Sequence, residues 1–179
     1  MSSITIPIYT VDAFASRPFT GNPAAVCILT QPLSEDEYQK IAMEMNLSET
    51  AFAVPMDDLN FIKARNFSLR WFTPIAEVGL CGHATLATAK IIFDELGNEN
   101  AKLSFITKRG LLNVEKKEEN VLTLDFPQYD IEQLTYNDST KGFILNIVKE
   151  ICGKLPVEAL AYAPLAKKLL IELHSNATM

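Results

Sequence analysis

The chain is 179 residues long, 48% apolar and 21% charged, an ordinary globular balance with enough material for one large domain or two small ones. Its formal net charge is −6 and its Lys and Arg residues are scattered, which speaks against the basic footprint of a nucleic-acid-binding protein and against a basic membrane-surface patch. No apolar run approaches the ~20 residues that span a bilayer, and three widely spaced cysteines with two histidines offer neither a disulfide framework nor the spacing of a zinc or other metal site.

The amino terminus, MSSITIPIYTVDAF, lacks the basic and long apolar regions of a secretory signal, so a reducing, cytoplasmic setting is expected. Within it Ile4, Ile6 and Ile8 alternate with Thr5, Pro7 and Tyr9, a period of two that predicts a strand over residues 3–14. Pro7 has no N–H to donate and belongs at a sheet edge or strand start. RPFTGNP interrupts the pattern, and AAVCIL, residues 24–29, predicts a short buried strand. Ser34 with Glu37 makes a capping box ahead of Ile41, Ala42 and Met45, which predicts a helix ending near Asn46. SETAFAV, residues 48–54, predicts a strand, MDDLN a polar connection, and FSLRWF, residues 67–72, a strand with Phe67, Leu69 and Trp71 on one face.

Thr73-Pro74 stops that strand. In ATLATAKIIFDELG, residues 84–97, Leu86, Ala89, Ile92, Phe93 and Leu96 recur at helical spacing, with Gly97 placed to end the helix. KLSFIT, GLLNVEKK and NVLTLDF predict three successive strands. PQYDIEQLTYND, residues 127–138, reads as a linker, and STKGFILNIVKEIC, residues 139–152, as a helix capped by Asp138 or Ser139. VEALAYA and AKKLLIEL predict two more strands before a polar tail. This order predicts an α+β fold with mixed or antiparallel sheets wrapping helices. Its expected division is a first domain over residues 1–126, the linker 127–138, and the opening of a second unit over 139–179.

Three stretches carry candidate chemistry. FTPIAEVGLCGHATLATA feeds a turn of small residues into a helix whose first turn holds Gly82, His83, Ala84 and Thr85. Unpartnered N–H groups and the helix dipole suit that turn to a carboxylate or phosphate, Gly82 permits close approach, and His83 offers a proton or a hydrogen bond. The bland reading is a turn glycine and a capping histidine. In FTGNP, Asn22 is either a ligand contact or the closing residue of an Asx turn beside a glycine of unusual dihedrals. In NLSETAF, Glu49 shares a strand face with Leu47 and Ala51. An acid there loses hydration, which favours its protonated form and suits proton transfer. The alternative is a solvated acid at a helix-to-strand junction. Cys81 and His83 are two residues apart, so in a helical turn their side chains are expected to diverge.

Together, DAF with FTGNPAAV, NLSETAF, and RWFTP with EVGLCGHATLA resemble the phenazine biosynthesis-like, or PhzF, family, its animal members above all. The resemblance spans residues 4–126 and continues more weakly through YAPLAKKLLIEL. It implies a diaminopimelate epimerase-like fold of two similar lobes, each a β-barrel-like sheet around a central helix, with the site in the cleft between them. It also implies a homodimer, and isomerase chemistry on a small carboxylate-bearing substrate with no metal or organic cofactor. In the phenazine enzyme a glutamate shuttles a proton on a dihydroanthranilate-type substrate. Its match here is Glu49, preceded by Ser48, while Gly82 and His83 match the pair that holds the substrate's carboxylate and assists proton movement. Racemases of the same fold use a cysteine in a similar helix-entry turn, which makes Cys81 a competing base. They need a partner cysteine, however, and Cys152 lies in a helical pattern, so Glu49 is preferred. The family's EDPVTGSA-like segment is absent, and the chain contains no Asp-Pro pair. An end inside the second lobe is therefore expected, with a catalytically incomplete isoform or fragment acting as a binding or regulatory protein as the alternative function.

Overall fold

The computed structural model of this chain describes residues 5–17, 19–118, 121–134 and 142–175. Two compact units make it up, Met1–Phe126 and Pro127–Met179.

In the first unit the strands are β1 (Ile8–Ala13), β2 (Asn22–Ile28), β3 (Thr50–Pro55), β4 (Asn66–Phe72), β5 (Glu77–Val78), β6 (Lys102–Thr107), β7 (Gly110–Lys116) and β8 (Leu122–Asp125). Helix α1 (Glu35–Met45) lies between β2 and β3, and α2 (Gly82–Lys90) between β5 and β6. The sheet runs β1-β2-β3-β4-β6-β7-β8, with β5 paired to β4. The pairs β2–β3 and β4–β6 are parallel and the others antiparallel, because a crossover helix can return the chain in the same direction and a tight turn cannot. This is the mixed sheet the sequence predicts.

Helix α2 packs against β1, β2 and β3 and also against β8. Contact with strands at both ends of the sheet requires the sheet to curl around the helix, which gives the β-barrel-like form. Small residues make that enclosure feasible: Ala84, Thr85, Ala87, Thr88 and Ala89 are all buried. The Thr85 and Thr88 hydroxyls donate to the carbonyls of Cys81 and Ala84, so neither is left without a partner. Opposite them stand Val26, Ala51, Leu69, Trp71, Phe67 and Phe105. Helix α1 covers the outer face, where Tyr38 stacks on Phe72 and meets Phe52 edge-on. Strand β3 is therefore enclosed on both sides and buried at all six positions, which is why TAFAVP reads as a nearly unbroken apolar run.

Local chemistry explains most boundaries. The capping box is complete: Ser34 Oγ accepts from Glu37 N, and Ser34 N donates to Glu37 Oε2 at 2.9 Å. Asn46 ends α1 in the left-handed conformation at φ 49°. Pro7 immediately precedes the edge strand β1, and its carbonyl accepts from Ile28 N at 3.1 Å.

Several expectations are corrected. Residues 3 and 4 of the predicted first strand lie outside the described residues, and among those described β1 starts at Ile8. Strand β3 starts at Thr50 rather than Ser48, because the chain must first leave the left-handed turn at Asn46. The second helix begins at Gly82, with Gly82 and His83 in its first turn as expected, but it is α-helical only to Lys90. A π-helical turn over Ile91–Glu95 follows, whose wider coil accommodates the consecutive buried residues Ile91, Ile92 and Phe93. Gly97, at φ 65°, then ends it as predicted. In FTGNP the unusual dihedral belongs to Phe19 (φ 65°), not to Gly21, and a second one lies at Phe14 (φ 61°) where β1 ends. Gly21 is required for a different reason: a Cβ there would lie 2.4 Å from the Ala13 carbonyl oxygen.

A cluster that pattern reading passed over covers α1's start and the outer sheet face. The Arg70 guanidinium bonds Glu35 through Nη1 and Nη2 at 2.7 Å each and Glu77 through Nε and Nη2 at 2.8 Å each. It also lies 4.7 Å over the Tyr38 ring.

The second unit holds β9 (Glu132–Gln133), α3 (Gly142–Cys152), β10 (Val157–Ala163) and β11 (Lys168–Leu173), with sheet order β11-β10-β9. Its core gathers Leu134, Val148 and Leu160. Strand β9 falls inside the predicted linker. Two residues paired to β10 are too few to show a period of two. The proposed caps Asp138 and Ser139 lie outside the described residues. Among those described, no helix is long and apolar enough to cross a membrane.

Candidate active site

Parallel pairing places the first candidate. Ala25 stands opposite Thr50, and Ala25 N donates to the Glu49 carbonyl at 3.2 Å, so the backbone of Glu49 is fixed by the end of the β2–β3 ladder. Although Glu49 precedes the strand, its position keeps the parity of Ala51 and Ala53, which line the inner core beside α2. The acid thus stands at the lip of the curled sheet, with its side chain 19% exposed.

His83 comes from the first turn of α2, and its side chain is only 10% exposed. Its Nε2 lies 3.4 Å from Glu49 Oε2 and 3.4 Å from Ser48 Oγ. Ser48 and Glu49, both singled out in the sequence, therefore converge on one edge of the His83 imidazole. Contacts of this length are loose for a resting site, where catalytic hydrogen bonds commonly tighten only around substrate.

The opposite ring nitrogen is engaged as well. Cys81 Sγ lies 3.4 Å from His83 Nδ1, contrary to the expected divergence of these side chains. The reason is local. Cys81 is the N-cap of α2, with extended backbone at φ −144° and ψ 115°, so the helical spacing rule does not apply to it. An N-cap position can be read from a sequence, and that signal would have revealed the contact. Donor atoms of Glu49, Cys81 and His83 all lie within 4.8 Å of one another, a set that suits a metal ion in its chemistry. As they stand, the thiol and the carboxylate face opposite nitrogens of one imidazole.

Gly82 and Asn22 fare differently. A Cβ on Gly82 would meet Phe126 Cε2 at 3.0 Å, so the close approach this glycine permits is taken by an aromatic ring of the same unit. Phe126 is itself 46% exposed. Asn22 is exposed at the start of β2, opposite Ala13, at the end of the sheet where Glu49 stands. Among the described residues it makes no hydrogen bond to the cluster.

Comparison with known proteins adds the following. The family described as phenazine biosynthesis-like protein matches residues 11–179. A human phenazine biosynthesis-like domain-containing protein is 43% identical over 169 residues, covering 94% of this chain and 57% of its own length. An uncharacterized isomerase of Halalkalibacterium halodurans is 50% identical over 134 residues, covering 73% of this chain and 46% of its own. The crystal structure of a PhzF-family phenazine biosynthesis protein from Enterococcus faecalis superimposes with a TM-score of 0.77 at 37% identity, over 97% of this chain and 59% of that one. A hydroxyproline epimerase from Agrobacterium vitis shares the fold alone, with a TM-score of 0.53 at 12% identity, over 93% of this chain and 50% of its own. The chain thus spans less than three fifths of the length of the human relative it matches.

Proposed function

The chain belongs to the phenazine biosynthesis-like family, and on that premise we propose that its site serves cofactor-independent isomerisation of a small carboxylate-bearing substrate, with Glu49 as the proton shuttle. An isomerase-like role is supported by the relative named as an isomerase and by the epimerase-like fold.

The observation that carries the mechanism is the 3.4 Å approach of Glu49 Oε2 to His83 Nε2 at the entry to α2. Glu49, ionised, takes a proton from a substrate carbon and returns it to another position of the same molecule, so that double bonds or configuration shift without net gain or loss of atoms. His83 beside it stabilises the carboxylate before it takes the proton and again once it has returned it. The amino-terminal N–H groups of α2 and its dipole favour an anion, which suits them to hold the substrate's carboxylate. Ser48, exposed and 3.4 Å from His83 Nε2, completes the polar rim, and Asn22 is assigned to its outer edge.

The test is deuterium uptake from heavy water into small cyclic amino and hydroxy acids, followed by NMR. Uptake by the wild type and its loss in Glu49→Gln are expected. No uptake, or equal uptake by both proteins, overturns the reading.

A further inference from the structure

We propose that Cys81 is a positioning residue for His83: its thiol donates to Nδ1 and thereby holds the imidazole in the tautomer that carries its proton on Nε2, facing Glu49.

Two independent features lead there. The first is what Cys81 does not do. An N-cap side chain ordinarily accepts an N–H from the first turn of its helix, the reason Ser, Thr, Asp and Asn prevail there. Cys81 makes no such capping bond, and its sulfur stands instead 3.4 Å from His83 Nδ1. The extended backbone at Cys81 turns the thiol back over the ring two residues on.

The second is the proton inventory of the imidazole. A neutral ring has one N–H and one lone pair. Nε2 lies 3.4 Å from an oxygen of Glu49, and an ionised carboxylate has only lone pairs to present. A lone pair on Nε2 would be repelled there, whereas a proton is attracted. Nδ1 is then the acceptor, and the thiol is the group beside it with a hydrogen to give. Cys81 is 7% exposed and the His83 side chain 10% exposed, so water competes poorly for Nδ1. In the opposite tautomer Nδ1–H would donate to the sulfur, a weak acceptor, and Nε2 would turn its lone pair on the carboxylate, so the contact with Glu49 decides between the two.

This inference rests on the isomerase reading only for its consequence, that an Nε2 proton stabilises the Glu49 carboxylate awaiting the substrate's proton. The tautomer itself is measurable without substrate. Long-range 1H–15N correlation of histidine-labelled protein resolves two rings, His83 and His174, assigned through His174→Asn. The wild type is expected to show His83 protonated on Nε2. Cys81→Ala moves it toward a mixture of tautomers, and Cys81→Ser, whose hydroxyl can donate, restores it. Wild-type His83 protonated on Nδ1, or a tautomer unchanged in Cys81→Ala, overturns the proposal, and the wild-type spectrum decides even where a variant folds poorly. In the exchange assay Cys81→Ala lowers kcat about tenfold with KM held, the scale on which a histidine's orienting partner acts, and Cys81→Ser recovers it. Absence of exchange in the wild type sinks the isomerase reading alone, leaving the spectra to decide the role of Cys81.

Discussion

Glu49 Oε2 lies 3.4 Å from His83 Nε2, although one residue precedes strand β3 and the other opens helix α2. The pair exists because the sheet curls around α2, which brings the helix's amino terminus to the end of β3 where Glu49 stands. Neither residue has this partner in its own segment.

Glu49→Gln tests whether that proximity serves chemistry or stability. The amide keeps the shape of the side chain, and the site is partly open to water. The expected change in unfolding free energy is within about 0.5 kcal/mol, as for surface substitutions. Exchange should fall by about a hundredfold or more, the scale of a lost general base. Urea denaturation and the heavy-water assay read the two separately.

Gly82→Ala separates packing from ligand contact. The new methyl would sit 3.0 Å from Phe126 Cε2, but that ring is 46% exposed and can swing outward. Alanine also favours the helix over glycine by up to about 1 kcal/mol. The thermal midpoint is therefore expected to hold or rise slightly. If the backbone at Gly82 holds a carboxylate, KM for substrate rises while the fold persists. A loss of folding would contradict this account.

Thr50→Val should stabilise the first unit. Thr50 is fully buried, and its Oγ1 is one of two buried side-chain polar atoms among the described residues without a hydrogen-bond partner. A buried hydroxyl without a partner costs about 1–3 kcal/mol, which valine removes at nearly the same shape. A thermal midpoint raised by a few degrees is expected, read through the fluorescence of the buried Trp71, the chain's single tryptophan. A lower midpoint would show that the hydroxyl finds a partner in solution.

The Arg70 cluster gives a pH dependence. Hydrogen bonds from Arg70, aided by Lys108, hold the Glu77 carboxyl below its ordinary range, against the opposing effect of burial. A depressed folded-state value means that the contribution is complete above the unfolded carboxyl pKa of about 4.3 and is lost as pH falls through the lower folded value. Glu77→Gln is expected to cost about 2 kcal/mol near neutral pH, the scale of hydrogen bonds to a charged group. The gap between variant and wild type should stay constant from neutrality down to about pH 5 and close in more acid solution. Midpoints of both proteins across that range check the sign.

Sequence and tertiary structure divide the account cleanly. Helix α1, its capping box and its Asn46 terminus were legible because they depend on neighbours three or four residues away. The alternation of Phe67, Leu69 and Trp71 was legible because a strand repeats every two residues. The motifs around Glu49 and His83 marked the family, and nominated a candidate site, before any geometry. Pattern reading missed β9, too short to carry a period, the π-helical turn, whose burial spans consecutive residues, and the Arg70 cluster, whose partners Glu35 and Glu77 lie on other elements. It also set Cys81 apart from His83, because spacing rules for helices fail at an extended N-cap. Local propensities and periodicities determined the elements and nominated the acid. Only the curl of the sheet around α2 decided which nitrogen faces that acid, because long-range packing, not the chain's local order, sets the distance between residues on different elements.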